Sequence, residues 1–113
     1  MKVKTPTPEL IENEILAVGS VDFLDIWSIS RTVQQLVPNA DEVKVRELSL
    51  AALEHLIASG RLQAGDLYPP GEFSPWPLDA DEAMERIQTE WQKLDRPLQP
   101  GDIAWFEVPE PRA

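Results

Sequence analysis

The feature that most constrains the fold is a helix-like run over residues 41–59, which Gly60 ends and a strand-like segment over residues 61–68 follows. Plotted at about 100° per residue, its apolar side chains cover two adjoining sides of the helix. One side is formed by Val45, Leu48, Ala52 and Leu56, and the other by Val43, Leu50, Leu53 and Ile57. Because a helix that is apolar over so wide an arc must be covered by two neighbours, we predict that this helix lies at the centre of a small core.

The chain of 113 residues is long enough for one hydrophobic core but too short for two. Its 42% hydrophobic residues and four Trp predict a folded domain, which we place at residues 8–109, between flexible tails at residues 1–7 and 110–113. The first residues lack the apolar run of a signal peptide, and no segment approaches the roughly eighteen apolar residues of a membrane-spanning helix. We therefore expect a soluble, cytoplasmic protein with no membrane contact.

The balance of charge favours basic partners. Twenty Asp and Glu oppose ten Lys and Arg, which gives a net charge of −10. Such a chain repels a phosphate backbone at long range and attracts a basic surface. Apart from the first eight residues, only the central helix and the strand after it are not strongly acidic.

Three further helices are predicted. The first covers residues 8–19, with Thr7 as its N-cap, a glutamate-rich outer face and an inner apolar stripe. That outer face holds Glu9, Glu12 and Glu14, and the stripe holds Leu10, Ile11, Ile15 and Val18. The second begins at Ser20 or Asp22, carries Phe23 on its apolar face and ends near Val37. A capping-box-like pair, Asp79 and Glu82, starts an amphipathic fourth helix over residues 79–94.

Two stretches predict β-structure. Residues 61–68 and 72–74 are joined by the turn Pro69-Pro70-Gly71, which predicts a hairpin. The alternation of apolar residues slips at Gly65, so we predict a β-bulge there. Residues 102–108 predict a final strand that is apolar on both sides and is therefore buried or covered at an edge.

This order of elements, with LEHLIASGRLQAGDL at the helix-to-hairpin junction, resembles a winged helix-turn-helix domain over about residues 8–76. The resemblance implies that the third helix, residues 41–59, would be the DNA-recognition helix and that residues 61–76 would be the wing. The predicted fold class is α+β, mainly helical and winged-helix-like, with four helices, a small antiparallel β-hairpin and a C-terminal strand. Domains of this fold also bind proteins, so the fold alone does not decide the function.

The polar strip of the central helix is poor in the side chains that read DNA. It consists of Lys44, Glu47, Ala51, Glu54, His55 and Ala58. Recognition helices normally offer Arg, Lys, Asn or Gln to base edges, and the tip of the predicted wing, residues 69–72, has no cation. DNA is therefore the less favoured partner.

Six residues are candidates for interaction: Lys44, Arg46, His55, Arg61, Trp76 and Trp105. A DNA contact would depend on the cations among them. Arg46 projects into the apolar arc, so it needs a carboxylate partner or a route to solvent. The only histidine is interpreted as a surface residue. Trp76, between two prolines, either locks the wing to the body or anchors a partner.

No catalytic, cofactor or metal site is predicted. The chain has no Cys and one His, which makes a zinc site a poor fit, and its glycines do not cluster into a phosphate-binding loop. We predict a non-enzymatic protein–protein interaction module whose partner has a basic surface, such as a neutraliser of a basic toxin or a regulatory adaptor. Two alternatives stay open: a DNA-binding transcriptional regulator acting as a homodimer, and an accessory subunit or small-ligand sensor. A homodimer could form through the fourth helix or the final strand.

Overall fold

Four helices and four strands occupy residues 7–109, the part of the chain that the computed structural model describes. The helices are α1 (Pro8–Gly19), α2 (Ile26–Leu36), α3 (Glu42–Ala58) and α4 (Ala80–Lys93). The strands are β1 (Leu24–Asp25), β2 (Gln63–Tyr68), β3 (Glu72–Pro75) and β4 (Trp105–Glu107). The predicted α+β, mainly helical class is confirmed. Apart from Thr7, which caps α1, the predicted tails over residues 1–7 and 110–113 lie outside the described residues.

The helix α3 is the centre of the packing, as its wide apolar arc predicts. It packs against α1, α2 and α4, and its buried side chains include Leu53 and Leu56. Asp41 caps its N-terminus by accepting a hydrogen bond from the Lys44 N–H at 2.8 Å. The prediction that Val43 belongs to the covered apolar arc is wrong. Its side chain is 65% exposed and lines an open groove between helices.

The start of α2 differs from the prediction. Its N-cap is Asp25, whose Oδ1 accepts a hydrogen bond from the Ser28 N–H at 2.7 Å, and not Ser20 or Asp22. The residue before Asp25 belongs to the short strand β1, whose extended backbone is fixed by pairing with β4 and prevents an earlier helix start. Phe23 therefore precedes the helix and stacks on Phe73 of β3, with ring centroids 5.6 Å apart.

The four strands form one antiparallel sheet in the order β1-β4-β2-β3. The predicted hairpin is present as β2 and β3. The final strand is shorter than predicted, and it lies inside the sheet, with Phe106 opposite Leu24 on one side and Ala64 on the other. Phe106 is fully buried, whereas Trp105 and Glu107, which point to the other face, are half-buried.

The predicted bulge at Gly65 is wrong. Gly65 pairs in continuous register with Pro75 of β3 and with Trp105 of β4. The break in apolar alternation has another cause, since a Cβ atom on Gly65 would collide with the Ser74 carbonyl oxygen and would lie 2.7 Å from Cζ of Phe73. Glycine is needed at this position because the backbones approach so closely.

The helix α4 begins with the predicted capping box. The Glu82 N–H donates to Asp79 Oδ1 at 2.8 Å, and the Asp79 N–H donates to Glu82 Oε1 at 3.1 Å. The apolar stripe of this helix packs against the core of the same chain, where Met84, Ile87 and Trp91 are buried. Among residues 7–109, no helix combines the length and apolar character needed to cross a bilayer.

Candidate interaction surface

The helix α1 buries a glutamate that the sequence analysis placed on its outer face. Glu12 is only 4% exposed, whereas Leu10 and Val18 of the predicted apolar stripe are 47% and 41% exposed. On a helical projection at about 100° per residue, Glu12 falls between Ile15 and Leu16. That position is the signal that the analysis missed, because Glu12 lies on the side of α1 that faces the core.

Glu12 joins two of the predicted candidate residues, His55 and Arg61. Its Oε1 lies 2.8 Å from Nδ1 of His55 and accepts a hydrogen bond from Nη2 of Arg61 at 2.9 Å. The interpretation of His55 as a surface residue is therefore incomplete, because its side chain is 63% exposed yet its Nδ1 is held by a buried carboxylate. This Glu12–His55–Arg61 cluster links α1, the end of α3 and the segment that leads into β2.

A carboxylate that holds Nδ1 of a histidine is also the arrangement that orients a general base. In this cluster, Nη2 of Arg61 lies 3.3 Å from the same Nδ1, so a cation competes for that side of the ring. Ser59 Oγ accepts from Nε of Arg61 at 2.9 Å, and no residue of the described range hydrogen-bonds to Nε2 of His55. The geometry supports a structural ion pair between Glu12 and Arg61 and not a general base.

Replacing Glu12 by Gln is expected to lower the free energy of unfolding by about 1–2 kcal/mol, because the charge-assisted bonds to His55 and Arg61 are lost. Urea denaturation at neutral pH measures this change. Glu14→Gln, on the exposed side of the same helix, is the matched control and should stay within about 0.5 kcal/mol of the parent. Equal effects of the two substitutions would contradict a stabilising role for the Glu12–His55–Arg61 cluster.

The two predicted cations on the first half of α3 each have another side chain of the chain nearby. The exposed Lys44 lies 4.0 Å from Glu47 Oε2, one turn further along the helix. The guanidinium group of Arg46 lies over the ring of Trp91, with Cζ 5.2 Å from the ring centroid. Arg46, which lies in the apolar arc of α3, is therefore accommodated by stacking on an aromatic ring and not by a carboxylate partner.

The two predicted tryptophans are packed to different degrees. Trp76 is only 7% exposed, and its backbone N–H donates to the Ala64 carbonyl oxygen at 3.0 Å. Arg86 of α4 covers its ring, with Cζ 3.9 Å from the centroid, so Trp76 fixes the end of the hairpin to the body. Trp105 is half-buried in β4, opposite Asp25 and Gly65.

A groove of about 580 Å³ opens between α2, α3 and the segment that follows α4. We call it the arginine groove, because three arginines line it: Arg31, Arg46 and Arg96. Arg31 lies over the ring of Trp27 at 5.4 Å. Of these three, only Arg46 was a predicted candidate. The stacking of Arg31 on Trp27 could have been predicted from their i, i+4 spacing.

Arg96 lies in the segment that follows α4 and forms an ion pair with Asp102. Its Nη1 and Nη2 donate to the two carboxylate oxygens at 2.8 and 3.0 Å. This hydrogen bonding, followed by the bond from the Gln99 N–H, holds the pKa of Asp102 below its ordinary value of 3.8.

Replacing Arg96 by Met is expected to raise the pKa of Asp102 toward that ordinary value. Since the folded state lowers this pKa, the ion pair stabilises the fold at pH values above the unfolded-state pKa, and this contribution disappears as the pH falls through the folded-state pKa. Carboxyl carbon NMR across an acid titration measures the shift in both proteins. An unchanged Asp102 titration in Arg96→Met would show that the ion pair does not persist in solution.

Within residues 7–109, no group of three or more Asp, Glu or His side chains is arranged to hold a metal ion. Comparison with known proteins gave no match to a family model, to a curated protein or to a solved structure. The function is therefore argued from the geometry of the chain itself.

Proposed function

We propose that this chain is a winged-helix-like, non-enzymatic interaction module that binds a protein with a basic surface. The element order supports the winged-helix-like part of the proposal, because β1, α2 and α3 are followed directly by the β2–β3 hairpin. The C-terminal strand β4 is an addition to that arrangement, inserted between β1 and β2. In this comparison α3 takes the place of the DNA-recognition helix.

The observation that carries the proposal is the state of the charges around α3. Lys44 is paired with Glu47, Arg46 is stacked on Trp91, and Arg61 is bound to Glu12. Phosphate contacts require cations that are free to leave their present partners for DNA. Arg61 is instead bound to the buried Glu12, and Lys44 has Glu47 beside it. The edge of Arg46 is free, but Glu42 and Asp95 line the same groove and oppose a polyanion such as DNA.

The exposed face of α3 carries two glutamates and, next to the first of them, Lys44. Glu47 and Glu54 are exposed, and they flank the exposed small side chains of Ala51 and Ala58. Small side chains permit close approach of a partner, while the carboxylates attract and orient a basic surface. A basic toxin, a nuclease or a regulatory protein with a cationic patch has the required chemistry.

Affinity capture from native extract at low salt, followed by titration of the purified partner, tests this proposal. The double substitution Glu47→Lys with Glu54→Lys is expected to weaken binding of a basic partner by about tenfold or more, because like charges then face each other. Glu14→Lys with Glu85→Lys, at exposed positions of α1 and α4, is the matched control, because it changes the net charge by the same amount. Failure to recover a basic partner, or equal binding by both variants, would contradict the proposal.

A further inference from the structure

We propose that the arginine groove is a binding site for a small organic anion that has a flat apolar body and a single anionic group. This site is separate from the acidic face of α3, so the inference does not depend on the proposed protein partner. It rests on two arginines that have no carboxylate partner, on their stacking and on the size and lining of the groove.

Two guanidinium groups in the groove lack an acidic partner. Arg31 and Arg46 have no carboxylate oxygen within 4.0 Å among residues 7–109, whereas Lys44, Arg61, Arg86 and Arg96 each do. In a chain of net charge −10, two such arginines on one groove form a local site for negative charge.

The stacking of these arginines prepares them for an anion. Arg31 lies over Trp27 and Arg46 over Trp91, so one face of each guanidinium is covered by an indole ring. A stacked guanidinium keeps its N–H groups available at its edge, where they donate to a carboxylate, sulfonate or phosphate oxygen. Neither group donates a hydrogen bond to any residue within the described range.

The size and lining of the groove indicate the size, the apolar body and the charge of the ligand. Its volume of about 580 Å³ lies within the range of small-molecule sites, roughly 300–1,000 Å³. Apolar side chains complete the lining, including Val43, Leu94 and Leu98, and provide contact for a flat apolar body. Glu42 and Asp95 also line the groove and oppose a second negative charge, which favours a monoanion over a polyanion such as a nucleic acid.

Fluorescence titration with anilinonaphthalene sulfonate tests the site, because this probe joins an apolar aromatic body with a flat naphthalene ring to a single sulfonate. Its uncharged counterpart, phenylnaphthylamine, has the same aromatic body without the sulfonate. At low salt the anionic probe is expected to bind the folded protein about tenfold more tightly than the neutral one. Equal affinities, or no saturable binding of the anionic probe, would overturn the proposal.

Variants locate the binding to the groove. Arg46→Met and, separately, Arg31→Met are each expected to weaken the anionic probe by about tenfold and to leave the neutral probe unchanged. Arg86→Met is the matched control, since Arg86 is stacked on Trp76 outside the groove. Circular dichroism establishes that each variant is folded. Weakening by Arg86→Met as large as that by Arg46→Met and Arg31→Met would show that the probe binds elsewhere.

Discussion

Replacing Phe106 by Ala is expected to lower the free energy of unfolding by about 3–5 kcal/mol, the largest effect of any single apolar substitution that we predict. Phe106 is fully buried and lies on the inner strand β4, between Leu24 of β1 and Ala64 of β2. Its removal leaves a cavity where the sheet meets the helices. Since small domains are stable by only about 5–15 kcal/mol, this substitution should remove a large share of the total stability.

Equilibrium denaturation in urea measures this effect. Tyr68→Ala provides the control, because Tyr68 is an aromatic residue of the same sheet that is 54% exposed. It should cost less than about 1 kcal/mol. A loss for Phe106→Ala that is no larger than the loss for Tyr68→Ala would contradict the inner position of β4.

Replacing Asp25 by Ala is expected to cost about 2–4 kcal/mol, although Asp25 is a polar residue. Its carboxylate is buried and joins distant parts of the chain: Oδ1 accepts from the Ser28 N–H at 2.7 Å, and Oδ2 accepts from the Gly101 N–H at 2.6 Å. The substitution removes the N-cap of α2, worth about 1 kcal/mol, and leaves the Gly101 amide without its partner, which costs about 1–3 kcal/mol more.

Urea denaturation of Asp25→Ala is compared with that of Asp41→Ala, since Asp41 caps α3 from an exposed position and has no second partner of this kind. The control should lose only about 1 kcal/mol. Amide hydrogen exchange at Gly101 should accelerate in Asp25→Ala alone. Equal losses in the two variants would show that the bond to Gly101 contributes nothing to stability.

The parts of the fold that the sequence predicted correctly are those with local causes. The wide apolar arc of α3, the Asp79–Glu82 capping box and the Pro69-Pro70-Gly71 turn each depend on residues close together in the chain. Such signals need no knowledge of tertiary packing. The helix α3, the capped α4 and the β2–β3 hairpin were therefore predicted close to their observed bounds.

The errors arose where distant residues decide the structure. Asp22 and Asp25 are both good N-caps, and only the pairing of β1 with β4 selects Asp25. The burial of Glu12 was indicated by its helical position, but its partners, His55 and Arg61, come from other elements and could not be predicted. The same reason hid the arginine groove, since Arg31 and Arg46 lie on different helices and share a groove only after α2 packs on α3.

The most direct test of the central claim is a fluorescence-anisotropy titration of random duplex DNA at low salt. Since nonspecific DNA binding depends on cations that can reach phosphates, and Lys44, Arg46 and Arg61 all lie near carboxylates of the chain, we expect no saturable binding up to about 100 μM protein. Micromolar binding that falls steeply with salt, and that is lost on replacing Lys44 and Arg61 by Gln, would contradict the account. It would assign the chain to DNA and not to a basic protein partner.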